Sequence, residues 1–140
     1  MYFDELSVGQ RAQFTKTISE TDLVIFTGIT GDFNPVHVDA VAAASSPFGG
    51  RVVHGMLTAS FLCAVYGMQL PGAGAIHLEQ RLRFSAPVRV GDTVTAHVEV
   101  LELCEHRRVR VRSWCIRSDG TVVFEGEALL LAAARPPVAV

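Results

Sequence analysis

The stretch GMLTASFLCAVYGMQL, residues 55–70, contains no charged side chain and decides the fold of this 140-residue chain. Its 16 residues are fewer than the ~20 that an apolar helix needs to cross a bilayer, and Pro71 and Gly72 follow it directly. A helix that is apolar on every face is buried on every face. We therefore predict that this segment is the central helix of a globular core.

After this helix, apolar residues recur at every second position, which is typical of β-strands. The residues that share one face are Ile76, Leu78, Gln80, Leu82 and Phe84 in the first strand, Val94, Ala96, Val98 and Val100 in the second, Val109, Val111 and Ser113 in the third, and Val122, Phe124, Gly126, Ala128 and Leu130 in the fourth. The segment Arg11–Ile18 adds a fifth. The sequence thus predicts an antiparallel sheet of about five strands.

One apolar helix and five antiparallel strands bury their apolar faces together if the sheet curves around the helix. This α+β arrangement resembles the hot-dog fold. The helix would still expose one side, which a second copy of the chain would cover, so we expect a homodimer. We expect one domain over residues 1–140, with residues 132–140 as a frayed tail because they contain two adjacent prolines.

Composition and charge exclude several classes of partner. Lysine and arginine number 12 against 14 aspartates and glutamates, and the net charge of −2 gives no general attraction to nucleic acid or to an anionic membrane. The first residues are acidic where a secretion signal would be basic. Cys63, Cys104 and Cys115 are odd in number and widely spaced, which favours reduced cysteines and a cytoplasmic location.

The first half of the chain predicts short helices joined by a polar loop. One helix runs to about Thr27 and is ended by Gly28 and Gly31. The proline within residues 32–39 disfavours helix at the preceding position, so this segment is predicted to be a loop. A second short helix follows over Ala40–Ala44. Polar residues held in a rigid loop are a reason to look for chemistry there.

Asp32 and His37 flank the dipeptide Asn34-Pro35 in that loop. A loop bent at the proline can direct the carboxylate and the imidazole to one water molecule. Such a pair can take a proton from water and return it elsewhere, which is general acid–base catalysis. The alternative interpretation is structural: Asp32 caps a turn and His37 bonds a buried backbone group. The spacing alone leaves both interpretations open.

A second candidate element is the start of the apolar helix, at His54 and Gly55. The first N–H groups of a helix have no internal acceptor, and the helix dipole makes that end positive. Gly55 has no side chain to block approach, so its N–H is suited to hold a developing oxyanion, although a glycine here can also serve close packing. Ser60 either faces a pocket or bonds a preceding carbonyl group.

Metal and phosphate sites receive little support from the sequence. His37, Asp39 and His54 are metal-ligand types, but no HExxH motif or paired-cysteine spacing accompanies them, so no metal is predicted. The motifs GxGxxG, GxxxxGK[ST] and GxSxG are also absent. This argues against a dinucleotide-binding fold, a phosphate-binding P-loop and the nucleophile of an α/β-hydrolase.

Several arginines are candidates for contacts with phosphate. Arg108 belongs to a basic stripe, shared with Arg110 and Arg112, that is most simply a solvated face protecting the sheet. The same stripe could instead hold the phosphates of a cofactor-linked substrate, because arginine pairs well with phosphate. Arg51 and Arg83 are further candidates of this kind.

The segments FTGITGDFNPVH, residues 26–37, and VHGMLTAS, residues 53–60, resemble the MaoC-like (R)-specific enoyl-CoA hydratases, a family of hot-dog proteins. LPG at residues 70–72 and FSAPVRVGD at residues 84–92 support the resemblance, which extends over about residues 5–132. It implies reversible hydration of a trans-2-enoyl-CoA to an (R)-3-hydroxyacyl-CoA. No metal or redox cofactor is then needed, and coenzyme A belongs to the substrate.

The same resemblance implies a role for each candidate residue. Asp32 would be the acid/base that activates water, and His37 would bind and orient that water. The Gly55 N–H would bind the thioester oxygen, Ser60 matches a pocket serine, and Asn34 is expected to fix the loop. This chemistry fits the residues, because addition of water builds negative charge that a helix N-terminus can stabilise.

Three other functions stay open at this point. A 3-hydroxyacyl-acyl-carrier-protein dehydratase would act on the same thioester and the same phosphopantetheine arm. A hot-dog acyl thioesterase would hydrolyse that thioester. A non-catalytic acyl-thioester-binding subunit would keep only the scaffold, because a fold does not prove a function. Asp32 and His37 favour the hydratase.

Overall fold

The computed structural model describes residues 1–137. Within that range the elements are β1 (Arg11–Thr17), α1 (Glu20–Thr30), α2 (Pro35–Val38), α3 (Ala40–Ala44), α4 (Gly55–Met68), β2 (Ile76–Phe84), β3 (Thr93–Leu103), β4 (Arg108–Arg117) and β5 (Val122–Leu131), preceded by a 3₁₀ turn at Phe3–Glu5. No helix in this part of the chain is long and apolar enough to cross a bilayer.

The five strands form one antiparallel sheet in the order β1-β3-β4-β5-β2. Helix α4 contacts β1 and β2, which are the two edge strands, as well as β3 and β4 between them. A straight helix reaches both edges of a five-stranded sheet only if the sheet curves around it. The architecture is therefore the hot-dog fold, as predicted.

The core lies between α4 and the inner face of the sheet. The alternate residues predicted to face inward on β3 and β4 are all 1% exposed or less: Val94, Ala96, Val98, Val100, Val109, Val111 and Ser113. Helix α4 contributes Leu57, Leu62 and Val65, which are also buried. Period-two alternation identified these strands correctly because one face of the sheet is buried and the other is solvated.

A polar network crosses the core beneath α4. The Tyr66 hydroxyl donates to Gln80 Oε1 at 3.0 Å and is also hydrogen-bonded to the Ser113 hydroxyl. Burial raises the pKa of Tyr66 to about 12, so the phenol is neutral. These bonds explain why two polar residues occupy inward positions of β2 and β4, and they fix the C-terminal half of α4 against the sheet.

One face of α4 remains uncovered. Met56, Ser60, Cys63 and Gly67 are separated by three or four residues and so form a row along the helix, which we call the α4 stripe. Met56 is 61% exposed, and Cys63 is also exposed. The sequence analysis predicted that the helix would expose one side within a single chain, and this row is that side, because a single sheet can enclose only part of a helix.

The short elements before α4 differ from their predicted bounds. Helix α1 continues through Gly28 to Thr30 and ends where Gly31 adopts a left-handed conformation, with φ of 73°. A single glycine inside a helix costs only ~1 kcal/mol, which the neighbouring turns offset. The predicted loop at residues 32–39 contains the one-turn helix α2, because Pro35 stands at its first position, where a proline is well tolerated.

Two details at the C-terminal side also differ. An irregularity at Cys115 and Ile116 shifts the register of β4 and β5, so Val123 faces the core instead of the predicted Val122. The predicted frayed tail at residues 132–140 is ordered at its start, since Ala132 is buried and Ala133 bridges Tyr2. Residues 138–140 lie outside the described residues.

Gly126 on β5 allows the close approach of β2. A Cβ atom built on Gly126 would lie 1.8 Å from the main-chain oxygen of Arg81. Because the obstacle is backbone, a side chain at this position would push β2 away from β5. The glycine therefore permits the tight pairing that holds β2 at the edge of the sheet.

We predict that Gly126→Ala destabilises the protein by about 3 kcal/mol, the upper range for overpacking. Urea unfolding followed by circular dichroism measures this change. The matched control is Gly28→Ala, because nothing lies within 4 Å of an added Cβ in α1. That substitution should instead stabilise the protein by about 0.5–1 kcal/mol. Equal stability of the two variants would contradict the steric account.

Candidate active site

The loop after α1 is built by local hydrogen bonds. Gly31 ends the helix, and the Thr30 hydroxyl accepts the N–H of Asp32 at 3.2 Å. Asn34 caps α2, because its side-chain oxygen accepts the N–H of Val36 at 3.2 Å. The main-chain N–H of Asn34 donates to Asp32 Oδ1 at 3.1 Å. Asn34 thus links the carboxylate to the helix that carries His37, and it also lines the cleft described below.

Asp32 and His37 face each other across this loop. Asp32 Oδ2 lies 3.7 Å from His37 Nε2, and the Asp32 side chain is 49% exposed against 12% for His37. His37 Nδ1 lies 2.7 Å from the main-chain oxygen of Val52, which can only accept, so Nδ1 carries a proton. In its neutral form the ring therefore presents the lone pair of Nε2 toward the carboxylate. Asp32 Oδ2 and His37 Nε2 are then two hydrogen-bond acceptors that face the same position at the protein surface.

A third side chain, His54, completes the cluster. It is 3% exposed, and its Nε2 lies 3.1 Å from the main-chain oxygen of Asp32 and 3.9 Å from Asp32 Oδ2. Its ring stacks on His37 with centroids 3.9 Å apart. From the sequence, His54 is predicted to be a helix start and a metal-ligand type, with no catalytic or positioning role. The signals in the sequence were its place immediately before Gly55 and within the segment VHGMLTAS.

A cleft of about 470 Å³ extends from His37 and His54 to the N-terminus of α4, and Asp32 lies beside this cleft without lining it. Its lining includes Asn34, His37, His54, Gly55, Thr58 and Phe84, together with Ala86, Pro87 and Val88 from the end of β2 onward. The N-cap residue of α4 is His54, and its side chain does not accept a hydrogen bond from the first N–H groups of this helix. The Phe84 ring would be 3.1 Å from a Cβ on Gly55, so the glycine makes room for this ring at the start of α4.

The GDFNPVH loop and the N-terminus of α4 both lie in the part of the chain that matches a known protein family. Residues 5–117 match the MaoC-like domain family. The chain belongs to that family. This MaoC-like domain is 47% identical over 135 residues to an (R)-specific enoyl-CoA hydratase of Rhodospirillum rubrum. The aligned residues cover 96% of this chain and 93% of that protein.

Two further relatives extend the comparison. A 3-hydroxybutyryl-CoA dehydratase of Methylorubrum extorquens is 48% identical over 131 residues, which covers 93% of this chain and 83% of that protein. The solved structure of an R-hydratase from Pseudomonas aeruginosa, in its unliganded form, matches this MaoC-like domain with a TM-score of 0.89. It is 40% identical and covers 99% of this chain and 96% of that chain.

Ser60 does not line the cleft of the MaoC-like domain. Its hydroxyl donates to the main-chain oxygen of Met56 at 2.6 Å, and the residue lies on the α4 stripe. The helical period explains the difference, since residues three or four apart share a face and residues five apart do not. Thr58, three residues after Gly55, lines the cleft instead, and its hydroxyl donates to the Gly55 carbonyl at 2.7 Å.

Arg51 is engaged in the structure of the site. Its Nε donates to the main-chain oxygen of His37 at 2.6 Å, and its terminal nitrogens pair with Glu20 at 2.7 and 3.3 Å. The guanidinium therefore ties α2 to the start of α1. With these partners it is a structural clamp, and the prediction of a phosphate contact finds no support in its geometry.

The other two arginine candidates lie away from the cleft. Arg83 is on the outer face of β2, where it lines a separate cleft of about 760 Å³ with Arg81 and Arg112. Arg108 begins β4 and pairs with Leu131, whereas the active-site cleft lies at the opposite end of the strands, ~20 Å along β4. Arg108 is therefore not a contact of this cleft within one chain.

A set of three metal-ligand side chains lies close together, but it is not the set of His37, Asp39 and His54 that was considered from the sequence. Asp32, His37 and His54 offer ligand atoms within 4.8 Å of one another. Asp39 is not a member, because its carboxylate accepts the N–H groups of Val41 and Ala42 and caps α3. His54 Nε2 faces a carbonyl oxygen and so carries a proton where a metal needs a lone pair. The three residues therefore cannot all bind one ion in this arrangement.

We predict that Arg51→Gln lowers the free energy of unfolding by about 1–2 kcal/mol. The bond to the His37 carbonyl involves a charged donor, and such bonds contribute about that much, whereas the half-exposed pair with Glu20 adds less. Urea unfolding measures the loss. The control is Arg108→Gln, since the exposed Arg108 has no ion pair or hydrogen-bond partner for its side chain within residues 1–137 and should change stability by less than about 0.5 kcal/mol. Equal losses would contradict the clamp.

Proposed function

We propose that this chain is an (R)-specific enoyl-CoA hydratase, which adds water reversibly and on one face to a trans-2-enoyl-CoA and yields an (R)-3-hydroxyacyl-CoA. The observation that carries the proposal is the pair of acceptors, Asp32 Oδ2 and His37 Nε2, 3.7 Å apart beside a cleft that reaches the N-terminus of α4. The similarity to an (R)-specific enoyl-CoA hydratase and to a 3-hydroxybutyryl-CoA dehydratase supports the same reaction.

The water-activating step follows from the hydrogen-bond capacities of the pair. A water molecule has two protons to donate, and the carboxylate and the Nε2 lone pair each accept one. Asp32 Oδ1 is bonded to the Asn34 N–H, which leaves Oδ2 for the water. Asp32 removes the water proton while the water oxygen forms a bond to C3 of the enoyl thioester.

The charge created by this addition moves to the thioester oxygen. The N–H of Gly55 and the positive end of the α4 dipole stabilise that oxyanion. The proton held on Asp32 then transfers to C2 from the same side, which restores the carboxylate and completes the addition of one water molecule. The reverse sequence removes water from the 3-hydroxyacyl thioester.

Two predictions from the sequence enter this proposal unchanged. The reaction needs no metal or redox cofactor, because proton transfer and oxyanion stabilisation come from the chain's own groups. Coenzyme A is part of the substrate. We also expect a cytoplasmic location, where acyl-CoA substrates are available and the three free cysteines stay reduced.

We predict that Asp32→Asn lowers kcat for hydration of crotonyl-CoA by about 10²–10⁴-fold, because the amide has the shape of the carboxylate but cannot accept the water proton. The loss of ultraviolet absorbance at the enoyl double bond follows the reaction, and chiral chromatography identifies the product. Glu105→Gln is the control, as it makes the same change at an exposed carboxylate outside the cleft.

Each alternative function has its own result in this assay. Unchanged turnover of the Asp32→Asn variant would exclude the proposed mechanism. Release of free thiol from crotonyl-CoA would indicate a thioesterase. Activity only on the acyl-carrier-protein substrate would indicate a dehydratase for that carrier, and inactivity on thioesters of every chain length would indicate a binding subunit.

We further propose that the protein is a homodimer formed through β2 and the α4 stripe. β2 pairs on one side with β5, and eight of its nine residues are exposed in the single chain. An antiparallel pairing of two β2 strands about a twofold axis at Gln80 or Arg81 places Glu79 opposite Arg81 or Arg83 of the second copy. These opposite charges complement each other, and the same contact covers the apolar α4 stripe.

We predict that Met56→Lys converts the dimer to a monomer at micromolar concentration, because the dimer would bury an unpaired charge at this position. Sedimentation velocity measures the oligomeric state. Met68→Lys is the control, since Met68 lies on α4 outside the stripe and is 81% exposed. A wild-type protein that sediments only as a monomer would exclude the dimer.

A further inference from the structure

We infer that His54 is a positioning residue that holds Asp32 and His37 in register with the Gly55 N–H; the inference rests on the proposed hydratase function. His54 immediately precedes Gly55 in the chain and is almost fully buried. Its ring packs between His37, stacked at 3.9 Å, and Phe26 of α1, at 5.1 Å edge to face. One side chain therefore contacts α1 and α2 at the entrance to α4.

The partners of His54 determine where its proton resides. Nε2 lies 3.1 Å from the carbonyl oxygen of Asp32, which can only accept, so Nε2 donates. Nδ1 is buried and has no hydrogen-bond partner within residues 1–137. A proton on Nδ1 would be a buried donor without an acceptor, which is unfavourable. The ring is therefore neutral, with its proton on Nε2.

This N–H fixes the backbone that carries the catalytic carboxylate. The Asp32 side chain is half exposed and is held through Oδ1 by the Asn34 N–H, within the same loop. The hydrogen bond from His54 Nε2 joins the Asp32 carbonyl group to a segment 22 residues away in the sequence. Without it, the local caps would still form the loop, but they would not set its distance from α4.

The stacked ring restrains the second catalytic residue. His37 Nδ1 is bonded to the Val52 oxygen, which leaves the ring free to tilt about that bond. The His54 ring at 3.9 Å limits this tilt and so directs Nε2 toward the Asp32 carboxylate. Small displacements matter here, because a misplacement of ~1 Å can reduce catalysis by ~10²-fold.

Amide substitutions of different length test this role. In His54→Gln the side-chain N–H₂ reaches about as far as Nε2 and can donate to the Asp32 carbonyl, whereas in His54→Asn it is one methylene too short. We expect His54→Asn to lower kcat at least tenfold more than His54→Gln, with KM for crotonyl-CoA within about threefold of wild type in both. His54→Phe keeps a ring for stacking but removes the donor, and we expect it to resemble His54→Asn.

A second readout does not depend on turnover. Nitrogen-15 chemical shifts of the His37 ring distinguish the Nδ1–H form from a mixture of tautomers. We expect the pure Nδ1–H form in wild type and in His54→Gln, and a mixture in His54→Asn. Equal kcat values and equal His37 spectra for the two amide variants would overturn the inference, as would wild-type kcat in His54→Phe. If wild-type protein does not hydrate crotonyl-CoA, the proposed function fails, and the His37 spectra still decide the role of His54.

Discussion

The enclosure of α4 by the sheet is the constraint on which the structure depends. Because the helix contacts both edge strands, its axis and the position of its N-terminus are set by the packing of the whole core. That N-terminus opens into the cleft at Gly55. A hydrophobic interaction without directional preference thus places a directional group, the end of a helix dipole, where an oxyanion can be bound.

The catalytic loop is organised in two stages. Local capping bonds from Thr30 and Asn34 shape the backbone around Asp32 without help from the rest of the molecule. Longer-range bonds then attach that loop to the segment leading into α4, among them those from His37 to the Val52 carbonyl, from Arg51 to the His37 carbonyl and from His54 to the Asp32 carbonyl. The acid–base pair and the oxyanion donor therefore share one rigid connection, which is the arrangement that efficient proton transfer needs.

The arginines show why residue type alone predicts binding poorly. Arg51, Arg83 and Arg108 are the same side chain, and the sequence offers no means of ranking them. The fold bonds Arg51 to a main-chain oxygen and a carboxylate and places Arg83 in the outer cleft. Arg108 lies at the end of β4 that is distant from the active-site cleft. Ser60 is a similar case, because its role depends on which face of α4 the sheet leaves uncovered.

The residue pattern alone predicted the central helix, the five strands and the inward faces of β3 and β4, and it singled out Asp32 and His37 as candidates, because each of these follows from short-range periodicity or from a loop of a few residues. The packing of distant segments was needed to show that His54 joins the pair, that Thr58 and not Ser60 lines the cleft, and that Gly126 allows β2 to approach β5 closely. Those features depend on contacts between segments more than 20 residues apart or on the direction of packing. The order of residues along the chain does not encode such distances in any local pattern.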